Sequence, residues 1–140
     1  MPPMRAVFWV VAVVVAAAAS AQNSSVDVLH YRIELTLPAS GSEIAASAEL
    51  TVRPLVVPLQ TLVLDFGGLA IDDVTVDGAK ADYTRAGEQL TIATNKSDPF
   101  RARIRYHGAP SDGLVLRGNK YGDHGAFADN WPNRAHYWFP

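Results

Sequence analysis

Residues 100–106 read FRARIRY, and this stretch decides the fold class of the chain. Apolar residues stand at 100, 102, 104 and 106, whereas arginine stands at 101, 103 and 105. Because successive side chains of an extended strand point to opposite faces, this period of two predicts a β-strand with one buried face. Three like charges on the other face predict a surface directed to water or to a neighbouring domain rather than to an anion.

The same alternation recurs toward the N-terminus. Residues 31–37 and 44–52 alternate on either side of a polar turn at 38–42, which predicts a hairpin. Further strands are predicted at 61–66, 71–76 and 89–94, and Asp77-Gly78 predicts a tight turn after which residues 80–83 pair back. No window carries a sustained helical stripe. The predicted fold class is therefore all-β, either an antiparallel β-sandwich or a saddle-shaped sheet.

Length and charge restrict the chain to one domain and exclude one class of partner. The 140 residues carry a formal net charge of −2 and contain no cysteine. One hydrophobic core typically organises about 100–200 residues, so a single domain is expected. A nucleic-acid binder needs a concentrated basic surface, so no nucleic acid is expected as a partner. The absence of cysteine excludes disulfides, thiolate zinc sites and a cysteine nucleophile.

The N-terminal 21 residues have the pattern of a secretory signal peptide. Arg5 gives a short positive start, residues 6–19 are apolar, and Ala19-Ser20-Ala21 supplies the small-residue cleavage pattern. The apolar run is shorter than the roughly 18 residues expected of a membrane span, so no stable span is predicted. The mature chain is expected to begin at Gln22, and the protein is expected to be exported, either periplasmic or secreted.

The C-terminal third contains no recognisable catalytic centre. Glycine recurs after Gly108 and the alternation stops, so residues 109–130 are predicted to form a loop. None of the four histidines belongs to an H-E-x-x-H pair of the kind that presents two imidazoles to zinc. A metal site could be assembled only by combining residues that are scattered along the C-terminal third, namely Asp123, His124, Asp129 and His136. Neither a metal site nor a catalytic residue is therefore predicted in this chain.

The order of these segments resembles the N-terminal β domain of the aminopeptidase N family of zinc metallopeptidases. The resemblance starts with HYRIEL at 30–35, continues through 44–52 and LVLDF at 62–66, and is clearest in FADNWPNRAHYWFP at 127–140. That last segment is similar to the family's Gln-x-Glu-Pro element followed by an Ala-Arg-x-x-Phe-Pro element. The resemblance covers essentially all of residues 27–140.

The resemblance implies that the parent protein is an exopeptidase that uses one zinc ion to remove N-terminal residues from peptides. The family's zinc ligands come from an H-E-x-x-H helix and a downstream Glu in a thermolysin-like catalytic domain, which this chain lacks. Residues 22–140 are then an N-terminal domain that ends incomplete and is inactive alone. Its expected partners are that catalytic domain and, through it, the peptide substrate.

The resemblance also implies a substrate-binding segment at Asp129, Asn130 and Trp131. Counting back from Pro132, Asp129 takes the family's Gln position and Trp131 its Glu position. Asp129 retains a carboxylate for the substrate ammonium group, whereas Trp131 does not. A different class of function, a secreted non-catalytic β-sandwich that binds protein or glycan, explains the strands equally well but not the aromatic C-terminus.

Overall fold

The computed structural model describes residues 25–140, and within them the chain is all-β and antiparallel. The predicted signal peptide at residues 1–21 lies outside the described residues. Ten strands precede one short 3-10 turn at Ala135–Tyr137. The strands are β1 (Val26–Thr36), β2 (Ile44–Pro54), β3 (Leu59–Asp65), β4 (Ala70–Val76), β5 (Ala79–Lys80), β6 (Tyr83–Ala86), β7 (Gln89–Lys96), β8 (Phe100–Gly108), β9 (Leu114–Gly118) and β10 (His124–Ala128).

The strands form two larger sheets and one hairpin. The five-stranded sheet has the order β1-β2-β8-β4-β5, the three-stranded sheet has the order β3-β7-β6, and β9 pairs with β10. Buried side chains of both larger sheets belong to one hydrophobic cluster, for example Leu50 and Ile104 from the first sheet with Leu62 and Ile92 from the second. The two sheets therefore pack face to face as a sandwich, which is one of the two antiparallel arrangements that the sequence predicted.

Strand β8 confirms the prediction from FRARIRY. Its residues at 100, 102, 104 and 106 are buried, and its arginines are exposed. It lies between β2 and β4, where Ile104 is opposite Ala48 on one side and Val74 on the other. The predicted hairpin of β1 and β2 is also confirmed. At the turn after β4, Asp77 and Gly78 both have positive φ, 50° and 81°, as a tight hairpin turn requires.

Two predictions of local structure were wrong. Only Ala79–Lys80 pairs back on β4, whereas Tyr83 begins β6 in the other sheet, opposite Ile92 of β7. Residues 81 and 82 connect the sheets, because the Ala81 N–H donates to the Val74 carbonyl and the Asp82 carbonyl accepts from Ala93, both at 2.9 Å. Residues 109–130 are not all loop, since they contain the β9–β10 hairpin.

The β9–β10 hairpin cannot be recognised from the sequence pattern, because glycine occupies strand positions. Gly118 and Gly125 lie in the ladder, where they remove the apolar alternation that marks a strand. The turn is formed by Asn119, whose Oδ1 accepts the backbone N–H groups of Tyr121 at 2.8 Å and Asp123 at 3.0 Å. Side-chain capping of this kind lets an Asn replace a standard tight-turn pair.

Candidate functional site

The three predicted substrate-binding residues lie together in one turn, residues 129–134, directly after β10. The Asp129 N–H donates to the Gly113 carbonyl at 2.8 Å, so the turn is attached to the start of β9. The Arg134 N–H donates to the Asn130 carbonyl at 3.0 Å and closes the turn. The Trp131–Pro132 peptide bond at its centre is cis. We refer to this segment as the 129–134 turn.

The side chains of Asp129 and Asn130 both have partners inside the domain. Arg134 Nη1 lies 3.2 Å from Asp129 Oδ2, and Arg134 Nε lies 3.6 Å from Asp112 Oδ2. Asn130 Oδ1 accepts a hydrogen bond from Trp138 Nε1 at 2.9 Å. Asp129 therefore keeps one carboxylate oxygen without a protein partner among residues 25–140. Asn130 instead connects the turn to Trp138 in the aromatic C-terminal segment, residues 135–140.

Trp131 differs from its two neighbours because its side chain points away from the domain. It is 80% exposed, the largest exposure among the large hydrophobic residues of the described chain. An exposed indole on a hydrogen-bonded turn offers a large flat apolar surface at little entropic cost. The turn thus presents an indole next to a half-exposed carboxylate.

The aromatic C-terminal segment, residues 135–140, packs on the body of the sandwich. The Gly67 N–H donates to the His136 carbonyl at 2.7 Å, and His136 Nε2 lies 3.2 Å from Glu88 Oε2. Phe139 contacts Tyr31 edge-on, with ring centroids 6.0 Å apart. These aromatic residues are therefore partly covered by the domain itself, and Trp131 is the exception.

Two residues that support the turn, Arg134 and Gly113, were not among the residues predicted from the sequence. Arg134 joins two carboxylates from separate segments, and Gly113 allows the close approach, since a Cβ added there would lie 2.2 Å from the Arg134 carbonyl oxygen. The spacing of Asp129 and Arg134 suggests a local ion pair, but the contribution of Gly113 follows only from the three-dimensional contact. No signal in the sequence identifies it.

No metal site is present among residues 25–140, where no group of three or more His, Cys, Asp or Glu side chains converges. Three of the four scattered candidates have other partners: Asp123 contacts Asn119, Asp129 contacts Arg134, and His136 contacts Glu88. The fourth, His124, has a buried Nε2 without a hydrogen-bond partner among the described residues. Residues 25–140 therefore do not fit a zinc ion. No helix in the described part of the chain is long and apolar enough to cross a membrane.

The arginine face of β8 carries acidic side chains as well as its arginines. Arg103 lies 3.7 Å from Glu34 and donates to Ser47 Oγ at 2.8 Å, while Arg105 lies 3.8 Å from Asp73. The open depression along this face is lined by Glu49, Asp73 and Asp77 as well as by the arginines. Because Arg103 and Arg105 each lie close to an acidic side chain, the face has mixed charge, and its arginines are exposed to water.

The fold defines a class: the chain is similar to the N-terminal domain of M1 zinc metallopeptidases, which confirms the resemblance expected from the sequence. Similar solved structures include leukotriene A4 hydrolase from Saccharomyces cerevisiae, with 25% identity over 83% of this chain and a TM-score of 0.72, and an M1 zinc metallopeptidase from Deinococcus radiodurans, with 24% identity over 84% of this chain and a TM-score of 0.67. The yeast enzyme bound to bestatin gives 23% identity over 89% of this chain and a TM-score of 0.75.

These likenesses cover only part of the larger proteins. The chain spans 21% of the native yeast enzyme, 23% of the bestatin complex and 29% of the Deinococcus enzyme. No protein-family model and no curated protein sequence matches the chain, so the similarity rests on structure.

Proposed function

We propose that residues 22–140 belong to the N-terminal accessory domain of an exported, zinc-dependent aminopeptidase. The observation that carries the proposal is the structural similarity to the N-terminal domain of M1 zinc metallopeptidases over more than four-fifths of the chain. In this proposal the zinc ion is bound in a catalytic domain of the same polypeptide, for which a thermolysin-like architecture is our expectation. The accessory domain alone is inactive.

The domain's own contribution is to form part of the substrate pocket. The oxygen of Asp129 that Arg134 does not hold accepts a hydrogen bond from the ammonium group of the peptide's first residue. The exposed indole of Trp131 packs against the side chain of that residue, and Asn130 fixes the turn through Trp138. When bound, zinc would supply Lewis-acid activation of the scissile carbonyl and of water.

An assay of the complete polypeptide tests the proposal. The coding sequence is extended from the source transcript, the protein is expressed with zinc, and release of the first residue is measured for a peptide with a free amine and for its N-acetylated form. We expect cleavage of the free peptide only, loss of activity with a chelator, and no activity from residues 22–140 alone. A zinc-loaded complete protein that cleaves neither peptide contradicts the proposal.

The assignment of Asp129 has its own test in the complete protein. Asp129→Ala is expected to raise KM for free peptides about tenfold, because a charge-assisted hydrogen bond contributes roughly 1.5–3 kcal/mol. Arg134→Met breaks the same ion pair but keeps the carboxylate, so it controls for damage to the turn. Asp98→Ala, at an exposed acidic residue remote in sequence, is the matched control. Unchanged KM and kcat in Asp129→Ala would show that the assignment is wrong.

A further inference from the structure

Strand β1 forms an open edge of the five-stranded sheet. It is eleven residues long, and β2 pairs with it on one side. On its other side no strand among residues 25–140 pairs with it. The backbone N–H and C=O groups along such an edge are a template for pairing with a further strand.

The apolar side chains of β1 are poorly covered compared with those of its neighbour. Tyr31 is 36% exposed and Leu29 48%, whereas Ala48 and Leu50, which lie opposite this part of β1 on β2, are fully buried. Leu37, just beyond the strand, is 48% exposed. The edge therefore combines backbone groups that have no partner strand among residues 25–140 with apolar side chains that the domain covers only in part.

The sequence of this edge is symmetric in chemical type about Ile33. Residues 29–37 read LHYRIELTL, with leucine at both ends and apolar residues at 31 and 35. An antiparallel second copy with Ile33 opposite Ile33 places Tyr31 opposite Leu35. On the other face it places Arg32 opposite Glu34 twice, once in each direction. Cross-strand pairs of opposite charge and of apolar residues both stabilise a sheet.

The charges also select this register. A shift by one residue would place apolar side chains on the charged face, which the sheet disfavours. A shift by two residues would place Arg32 against its own copy in one direction, or Glu34 against its own copy in the other. Like charges directly opposite each other are destabilising. The register centred on Ile33 is thus the one that satisfies both faces.

We propose that two copies of this chain associate through antiparallel pairing of their β1 strands about a two-fold axis at Ile33, which joins two five-stranded sheets into one. The interface is isologous, and its surface is complementary to itself in charge and apolarity. Within one chain Arg32 Nη2 lies 2.6 Å from Glu34 Oε1, so the pairing would join two such ion pairs into a four-charge cluster. The proposal goes beyond the proposed function and does not depend on it.

The mass of the purified protein in solution tests the proposal. Light scattering after size exclusion, over a concentration series, is expected to show a monomer–dimer equilibrium with no larger species. Arg32→Glu places acidic residues opposite each other at both symmetric positions and is expected to weaken the dimer about tenfold. Lys80→Glu makes the same charge change on β5 at the opposite edge and is expected to leave the dimer unchanged.

Mixing two variants makes the test specific for the register. Glu34→Arg is expected to weaken its own dimer as Arg32→Glu does, but a mixture of the two variants restores both opposite-charge pairs and forms a heterodimer detectable by native mass spectrometry. Urea midpoints measured on each variant confirm that it is folded, and the double variant Arg32→Glu/Glu34→Arg keeps the same pairing within one sequence. A wild-type protein that stays monomeric, or folded variants that do not form the heterodimer, would overturn the proposal.

Discussion

At the scale of single residues, Gly113 shows how one backbone position supports the candidate site. Its φ is +76°, and an added Cβ would lie 2.2 Å from the Arg134 carbonyl oxygen and 3.0 Å from the Trp138 side chain. Both the backbone conformation and the lack of space would strain any other residue at this position. Gly113 is therefore a point of close contact between the 129–134 turn and the rest of the domain.

Gly113→Ala is expected to destabilise the protein by about 3 kcal/mol. Left-handed backbone costs an alanine roughly 1–2 kcal/mol, and the steric clash adds about 1–3 kcal/mol. Gly87→Ala is the matched control, because φ is +59° there but no atom lies within 4 Å of the added Cβ. Urea unfolding measures the difference in the free energy of unfolding between each variant and the wild type, on the condition that their m-values are equal. Equal losses in the two variants would contradict the close contact.

Asp77 adopts the left-handed backbone conformation of a tight turn, and its carboxylate forms an ion pair with Lys96. Its carboxylate accepts hydrogen bonds from the Lys96 ammonium group, at 2.6 Å, and the Arg101 N–H, at 2.9 Å, and these bonds lower the pKa of Asp77 below its ordinary value. A lowered pKa in the folded state stabilises the protein at pH values above the unfolded pKa, and this stabilisation is lost as pH falls through the folded pKa.

Asp77→Asn is therefore expected to destabilise the protein slightly at pH 7, and the difference from wild type is expected to shrink as the pH falls below about 4 and to vanish only below the lowered pKa of the folded state. Asparagine tolerates the left-handed backbone, so the turn itself is retained. Urea midpoints of both proteins between pH 7 and pH 3 measure the effect. A difference that stays constant over this range would show that the carboxylate charge contributes nothing.

At the scale of secondary-structure elements, Arg85 connects the two sheets. It lies on β6, and its guanidinium donates to the carbonyl of Leu69 and, at 2.8 Å, to that of Phe66, in the connection that leads from β3 to β4. It also lies over the Phe66 ring, 4.9 Å from the centroid. One side chain thus satisfies two carbonyls of a connection between different sheets.

Arg85→Met is expected to cost about 2 kcal/mol of stability, because it leaves partly buried carbonyls without their charged donor. The stability of Arg85→Lys is expected to lie between those of the wild type and Arg85→Met, since an ammonium group cannot reproduce the planar fork of the guanidinium group. Arg117→Met is the control, because Arg117 also stacks on an aromatic ring, Phe127, but in the exposed hairpin. A loss no larger than that of the control would contradict the bridging role.

The elements differ in how far the sequence predicts them. Strands β2 and β8 follow from their alternation, because each has one face in the core and the other in water. The crossing of Tyr83 to the second sheet depends on its long-range partner Ile92, which local pattern does not contain. The resemblance predicts a substrate-binding segment within the 129–134 turn, but the hydrogen bonds of the turn to Gly113 and Trp138 follow only from the three-dimensional structure.

At the scale of the whole molecule, an apolar segment remains outside the sandwich. Leu55, Val56 and Val57 follow one another between β2 and β3 and are 57%, 57% and 62% exposed. Contiguous exposed apolar surface of this kind is typical of an interaction site. The chain in isolation is therefore expected to bind a hydrophobic dye.

Replacing Val56 and Val57 together by serine is expected to reduce the dye signal at least by half, while the urea midpoint changes little because both side chains are already in water. Fluorescence titration of the dye against each protein measures the effect. A wild-type chain that binds no dye, or a double variant that binds as much, would show that this segment is not an accessible apolar surface.

The proposed function makes this chain the front part of a zinc aminopeptidase, and the sequence of the source transcript beyond the codon for Pro140 tests this directly. We expect an open reading frame that continues into a domain with an H-E-x-x-H motif and a downstream glutamate. A stop codon directly after Pro140, confirmed in both the transcript and the genomic DNA, would contradict it and would favour a non-catalytic β-sandwich binding module.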